Sequence, residues 1–170
     1  MKSALLLLAM AASLLAGCAE TYVPKGEPSF YRNLAQPGAE LDAAAAASMI
    51  SGYRANNGLP QVTLDPELMR LAQAQAATMA KRDRLDHDAG KPFAVRLKAS
   101  GYDAKAAAEN ISAGYHTLAE AFSGWRDSPP HRANMLLKGA TRMGIAATFT
   151  PTSKYKVYWT LIVAEPDEKS

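Results

Sequence analysis

The sequence predicts an α+β domain, and three observations carry that prediction. Segments of helical period occupy residues 40–56, 65–84 and 117–127. β-prone runs with alternating apolar positions occupy 143–150 and 155–164, so strands come last. Turn-type residues around 151–154 join those two runs as a hairpin, which makes their pairing antiparallel. Helices followed by an antiparallel hairpin belong on the faces of the sheet that the hairpin starts.

The first helix is alanine-rich, with Leu41, Ala45, Met49 and Tyr53 at helical spacing, and Asn56, Asn57 and Gly58 stop it. Asp65 then reads as an N-cap, with Pro66 at the first helical position and Glu67 in the first turn. Leu68, Leu71, Ala72, Gln75, Ala76 and Met79 trace one face of this second helix, which is predicted to end near Arg84. Lys81, Arg82 and Arg84 suit the negative end of its dipole. Pro92 opens a short third helix with Phe93 and Leu97, and Val95 as a further candidate, on its inner side. Residues 107–114 form a short extended piece. Thr117 and Glu120 match a capping box, opening a helix with Leu118, Phe122 and Trp125 on one face. That helix breaks at Ser128, Pro129 and Pro130, and a loop or helical turn carries His131, Asn134 and Met135. In the last run, Val157, Trp159, Leu161 and Val163 share one face. Trp125 and Trp159 both fit inward faces and read as core.

The N-terminus is organised differently. Met1 and Lys2 precede an uncharged apolar run over residues 5–15, shorter than the roughly 20 residues of a membrane span. It suits the apolar part of a secretory signal. The run ends in Leu15, Ala16, Gly17 and Cys18, and that ending resembles the lipobox of bacterial lipoproteins. The resemblance implies a signal peptide over 1–17, cleavage before Cys18, and a diacylglycerol and palmitate-type acyl chains on Cys18. Several acyl chains anchor far more firmly than one, at about 0.8 kcal/mol per buried methylene. Cys18 is the only cysteine in the chain, so no disulfide framework is available. Residue 19 is Ala and not the Asp of an inner-membrane retention signal, which favours an outer-membrane anchor facing the periplasm. Residues 18–39 hold Pro24, Gly26, Pro28, Pro37 and Gly38 and read as lipidated cysteine plus tether, although Tyr22, Phe30 and Tyr31 can pack on the domain. The folded domain is expected over 40–168.

The net charge is +3, or about +2 once Lys2 leaves with the signal peptide. That balance, without a basic stripe interleaved with aromatics, excludes nucleic acid as a partner. No phosphate-cradling glycine loop points to a nucleotide.

The chain has 3 histidines, and His87 and His131 lie beside turn-type sequence rather than inside an apolar face. Spacing alone favours hydrogen-bonded residues that hold loops together. Converging neutral imidazoles are the alternative, and these can take zinc, with Glu109 as a third ligand or as a carboxylate orienting an imidazole. Ser128 and His131, three apart, raise a nucleophile–base pair, but serine before two prolines is ordinarily a turn or cap residue and no nucleophile-elbow glycines flank it. His116, next to the capping Thr117, reads as a solvated loop residue. Asn110 and Asn134 read as bonding loop backbone.

The order of motifs resembles the CAP superfamily (cysteine-rich secretory proteins, antigen 5, pathogenesis-related proteins), in its bacterial SCP-like branch. The carriers are Gly58-Leu59-Pro60, Leu64-Asp65-Pro66-Glu67-Leu68, His87, Arg96-Leu97, Gly101-Tyr102 and Ala108-Glu109-Asn110-Ile111, followed by the run of ten from Trp125 to Asn134, Met143-Gly144-Ile145-Ala146 and Tyr158-Trp159-Thr160. The resemblance implies a three-layer α-β-α sandwich with a central antiparallel sheet. It also implies a cleft with two histidines and two glutamates: His87, Glu109 and His131 take three of these places, and Ser128 stands where the second glutamate would be. The expected function is an envelope-anchored, non-catalytic module that binds a lipid, glycan or protein partner at this cleft. The alternative is a zinc-dependent hydrolase or peptidase, with His87 and His131 on the metal and Glu109 as the catalytic base. A structural envelope protein without a working cleft ranks third.

Overall fold

The computed structural model describes residues 26–167. After a single turn of 3-10 helix at Ser29–Tyr31, the elements are α1 (Ala43–Asn56), β1 (Thr63–Leu64), α2 (Pro66–Arg82), α3 (Phe93–Ala99), β2 (Ala104–Ala113), α4 (Leu118–Asp127), α5 (Pro129–Met135), β3 (Arg142–Phe149) and β4 (Val157–Pro166). Their four strands form one sheet in the order β1-β3-β4-β2. The α+β sandwich expected from the sequence is present. Cys18 and residues 1–25, together with 168–170, lie outside the described residues.

Local chemistry accounts for the helix ends. Asp42 caps α1 by accepting from Ala45 N, and Asp65 caps α2 by accepting from Glu67 N and Leu68 N. Asp83 ends α2 in the left-handed conformation, at φ 48°. Thr117 and Glu120 form the capping box of α4. In α3, Phe93 and Leu97 pack inward while Val95 is exposed. Position 95 sits two residues from either, nearly on the opposite side of the helix.

β4 lies between β3 and β2 and is buried on both faces from Val157 to Ala164. Cross-strand partners share a face, so the register sorts the sheet's side chains into two layers. Met143, Ile145, Val157, Trp159, Leu161 and Val163 pack against α1, α4 and α5. Ala146, Ile162 and Ala164 pack against Leu68, Leu71, Ala72 and Ala76 of α2. Trp125 and Trp159 meet edge to face in the first layer, with ring centroids 6.4 Å apart.

Two features differ from the sequence expectation. The short extended piece at 107–114 is a ten-residue edge strand, Ala104–Ala113, because residues 106–113 pair in unbroken register with β4 and Ala104 pairs beyond a register shift. β1 was not expected; its two residues pair parallel to β3, so the sheet is antiparallel except at that edge. The segment preceding α1 also contacts the domain. Leu34 is buried, its N–H donates to His116 O at 2.7 Å, and Phe30 packs on the core.

Arg54 is fully buried and bonds only to carbonyls. Its Nε donates to Pro60 O at 2.9 Å, Nη1 to Met135 O and Leu137 O at 2.8 and 3.0 Å, and Nη2 to Ala140 O at 2.7 Å.

α2 lies directly on β3 at Gly144, where a Cβ would stand 2.1 Å from the carbonyl carbon of Leu68. The obstacle is helix backbone, which cannot turn aside as a side chain can. Gly144→Ala is therefore expected to lower stability by about 1–3 kcal/mol or more, read as a lower denaturant midpoint with an unchanged slope; an unchanged midpoint would contradict this packing.

Candidate functional site

The site forms around the outer edge of β2. Successive residues of a strand point to opposite faces. Glu109, paired with Ile162, points to the α2 layer, and Asn110, paired with Leu161, points to the α4–α5 layer. The two histidines come from those two layers. His87 stands in the loop between α2 and α3, and His131 on α5.

The His87 loop is held from below. Gln75 is the polar position in the α2 face and is 1% exposed. Its Nε2 donates to Asp86 O at 2.9 Å and to His87 O at 3.2 Å. The side chain of His87 is half-exposed, and its Nδ1 lies 2.9 Å from Glu109 Oε1. The other carboxylate oxygen, Oε2, accepts from Arg96 Nη2 at 2.6 Å. Arg96 also donates to Lys91 O at 3.0 Å, tying α3 to the same loop. Glu109 is thus a buried carboxylate with a partner on each oxygen, seated behind His87.

The other side is built from amides. Asn110 Nδ2 donates to His131 O at 2.9 Å. Asn134 Nδ2 donates to Asn110 Oδ1 at 2.9 Å and to Glu109 O at 3.2 Å. The two asparagines bond backbone at the cleft as expected, and they fasten α5 to β2.

His87 and His131 line one cavity of about 510 Å³, together with Leu85, Asp86, Asp88 and Ile111. A second cavity of about 260 Å³ shares Leu85, Ile111 and His131 with it and continues towards Ser112, Trp125 and Ser128. Ser128 is the N-cap residue of α5 but makes no side-chain capping bond. His116 is exposed in its loop and lines neither cavity. Sequence reasoning left Arg96 and Gln75 out of the site. Arg96 stood within a quoted motif, and Gln75 was the polar residue in an apolar stripe. Each was visible as a residue, but its partner was not.

The two imidazoles differ electrically. The hydrogen bond to Glu109 raises the pKa of His87 above the ordinary 6.5, against the opposing effect of burial. Burial, with a smaller contribution from the charge of His87, lowers that of His131 below 6.5. As donors for a metal, His87 offers Nε2, since Nδ1 faces Glu109, and His131 offers its ring. Glu109, with a partner on each oxygen and its side chain 1% exposed, sits behind His87 rather than open to the cavity. Among the described residues no group of three or more His, Cys, Asp or Glu is arranged to hold a metal. His87 and His131 line one cavity, so their two imidazoles are the nitrogen donors on hand there.

Fold and site together define an α-β-α domain with a histidine-lined cleft wrapped around a sheet edge. The chain belongs to the cysteine-rich secretory protein (CAP) family, whose sequence model matches residues 47–163. The uncharacterized protein YkwD of Bacillus subtilis (strain 168) is 33% identical over 100 residues, which cover 57% of this chain and 38% of that protein. The chain thus spans well under half of that relative's length. An extracellular SCP-domain protein of Bacillus anthracis str. Ames superposes with a TM-score of 0.62 at 22% identity, over 71% of this chain and 39% of that one. An outer surface protein of Borrelia burgdorferi does so with 0.67 at 16% identity, over 74% and 93%. At such identities the likeness is one of fold.

The titrations follow with opposite signs. Proton NMR of the two rings should show His87 titrating above 6.5 and His131 below it. The stabilising contribution of His87 is complete below 6.5 and is lost as pH rises through its folded pKa; that of His131 is complete above 6.5 and is lost as pH falls through its own. In Glu109→Gln the His87 midpoint should fall, and a midpoint unmoved by that change would contradict the Nδ1 contact.

Proposed function

We propose that this chain is an envelope-anchored lipoprotein whose CAP domain acts as a binding module, with no reaction catalysed at the cleft. The reading is supported above all by how Glu109 is held. A general base needs a carboxylate lone pair within about 2.6–3.2 Å of the proton it takes. Each oxygen of Glu109 already accepts a hydrogen bond, one from Arg96 and one at His87, and its side chain is 1% exposed, so the lone pairs that remain are covered rather than open to the cleft. A carboxylate so placed orients an imidazole and fixes a loop. The cleft it stiffens has apolar walls with a few polar points, the usual composition of a ligand site. The ligand is a lipid, a glycan or a segment of another protein.

Anchoring through Cys18 follows from the lipobox resemblance, and an outer-membrane site facing the periplasm from Ala19. Among the described residues no helix is long and apolar enough to cross a membrane. Two of the similar structures belong to proteins described as extracellular and as an outer surface protein.

The zinc-dependent hydrolase remains as a second reading because His87 and His131 line one cavity. A zinc ion on those two rings would supply an acidified water. The residues' own part would be to hold the ion through two nitrogens, with Arg96 and Glu109 steadying His87.

Two experiments test these readings. The full-length chain in neutral detergent, stripped of metal, is titrated with zinc by calorimetry at pH near neutrality beside His87→Ala and His131→Ala. It is then assayed with zinc on labelled casein and p-nitrophenyl acetate beside Glu109→Gln. Weak zinc uptake and no turnover are expected. Submicromolar binding lost in both histidine variants, with turnover lost in Glu109→Gln, would establish the hydrolase instead. In cells fed labelled palmitate, the chain should carry label and sediment with membranes, and Cys18→Ser should do neither; label retained in Cys18→Ser would refute the anchor.

A further inference from the structure

Besides Arg96 Nη1 behind His87, two buried polar atoms near the cleft have no hydrogen-bond partner: the indole Nε1 of Trp125 and the hydroxyl Oγ of Ser112. Their residues are 1% and 7% exposed. Both line the cavity of about 260 Å³ that runs inward from His131. A buried donor left unpaired keeps the full cost of losing its water, so two such atoms on one cavity point to something that binds there. A water molecule takes roughly 30 Å³ of liquid volume. The cavity is several times larger than that and takes a group of several heavy atoms.

The lining constrains the chemistry of that group. An indole N–H only donates, so the atom facing Trp125 is an acceptor. A serine hydroxyl both donates and accepts. Leu85, Ile111 and Ala113 supply apolar wall, and among the described residues no Lys, Arg, Asp or Glu lines this cavity. An ammonium group would therefore be desolvated without a counter-charge, and a carboxylate would find only the His131 imidazole. A neutral secondary amide with a methyl end matches the walls: its carbonyl accepts from Trp125, its N–H donates to Ser112, and its methyl packs on Ile111 and Ala113. The adjoining cavity, with Asp86, His87 and Asp88, has the polar acceptors that sugar hydroxyls require.

We propose that the inner cavity is an acetamido subsite and that the cleft takes an N-acetylated amino sugar. The acetamido group sits between Trp125 Nε1 and Ser112 Oγ, and the ring lies against Asp86, His87 and Asp88. This inference rests on the cleft being a binding site and names the class of its ligand.

The chain has 2 tryptophans, and they report separately. Trp159 Nε1 already donates to Tyr115 O at 2.8 Å and serves as the internal reference. The experiment follows both indole N–H resonances of the full-length, ¹⁵N-labelled chain in neutral detergent during titration with N,N′-diacetylchitobiose. Cellobiose, with hydroxyls in place of the acetamido groups, is the control sugar, and N-acetylalanine methylamide is the control amide. Chitobiose should shift the Trp125 signal downfield and saturably while Trp159 stays, and cellobiose should shift neither. Ser112→Ala should weaken chitobiose binding about 3–10-fold, the loss of one neutral hydrogen bond. An equal response to cellobiose, or an unweakened Ser112→Ala, would overturn the acetamido assignment. Stronger binding of the alanine amide would overturn the sugar in favour of a peptide. Movement of the His87 and His131 rings with Trp125 unmoved would overturn the subsite and leave the cleft as a binding site. No response to any probe would overturn the subsite, and the cleft reading would then be judged by the zinc and turnover experiments.

Discussion

Arg54 brings a positive charge into the interior and meets it with the backbone. Four carbonyls, from Pro60, Met135, Leu137 and Ala140, take up its donors. Three of these follow or end α5, where a helix presents carbonyls without intrahelical partners and carries partial negative charge. The guanidinium fork suits this task, since its planar donors reach several acceptors at once. Without it, the Pro60, Met135 and Ala140 carbonyls would lose this donor, while Leu137 O would keep only the Ala140 N–H. Three of the bonds span 81 to 86 residues of sequence, from α1 to the end of α5 and the turn before β3. With Cys18 the only cysteine in the chain, this cross-link is polar rather than covalent.

The consequence reaches the cleft. α5 has only seven residues, too few to stand as a helix alone. Arg54 holds its C-terminal end, and Asn110 and Asn134 hold its side against β2. His131 therefore stands at a fixed distance from the sheet edge. On the other layer, Gln75, Arg96 and Glu109 do the same for His87. An edge strand exposes unpaired backbone and is ordinarily a liability. Here part of that edge is covered by α5, and the Glu109 carbonyl accepts from Asn134. What remains open between the two histidines is the cleft. Its polarity is graded, from Asp86, His87 and Asp88 at one end to Trp125 and Ser112 at the other.

Ser128, set by the resemblance where a second glutamate would stand, has a local role. The residue caps the start of α5 in position but not by a side-chain bond, and it lines the inner cavity beside His131. A glutamate there would bring a negative charge into walls that hold none. With serine, the inner cavity stays neutral.

Much of this was legible in the chain. Asp65, Pro66, Thr117 and Glu120 specify helix starts because a cap is a bond between residues two or three apart. The alternation in 157–163 marks a strand for the same local reason. His87, Glu109 and His131 were recognisable by motif. The sequence did not reveal β1, the length of β2, or that β4 is buried on both faces, since strand pairing depends on partners that are distant in sequence. Nor did it reveal that Glu109 belongs to Arg96 as much as to His87, that Gln75 carries the His87 loop, or that Arg54 stands among carbonyls. The sequence by itself determined the capped helices and the last two strands, and which residue types are available for chemistry. The tertiary structure decided which of them touch: a carboxylate is a base, a ligand or a brace according to what occupies its two oxygens, and those partners come together only when the layers close.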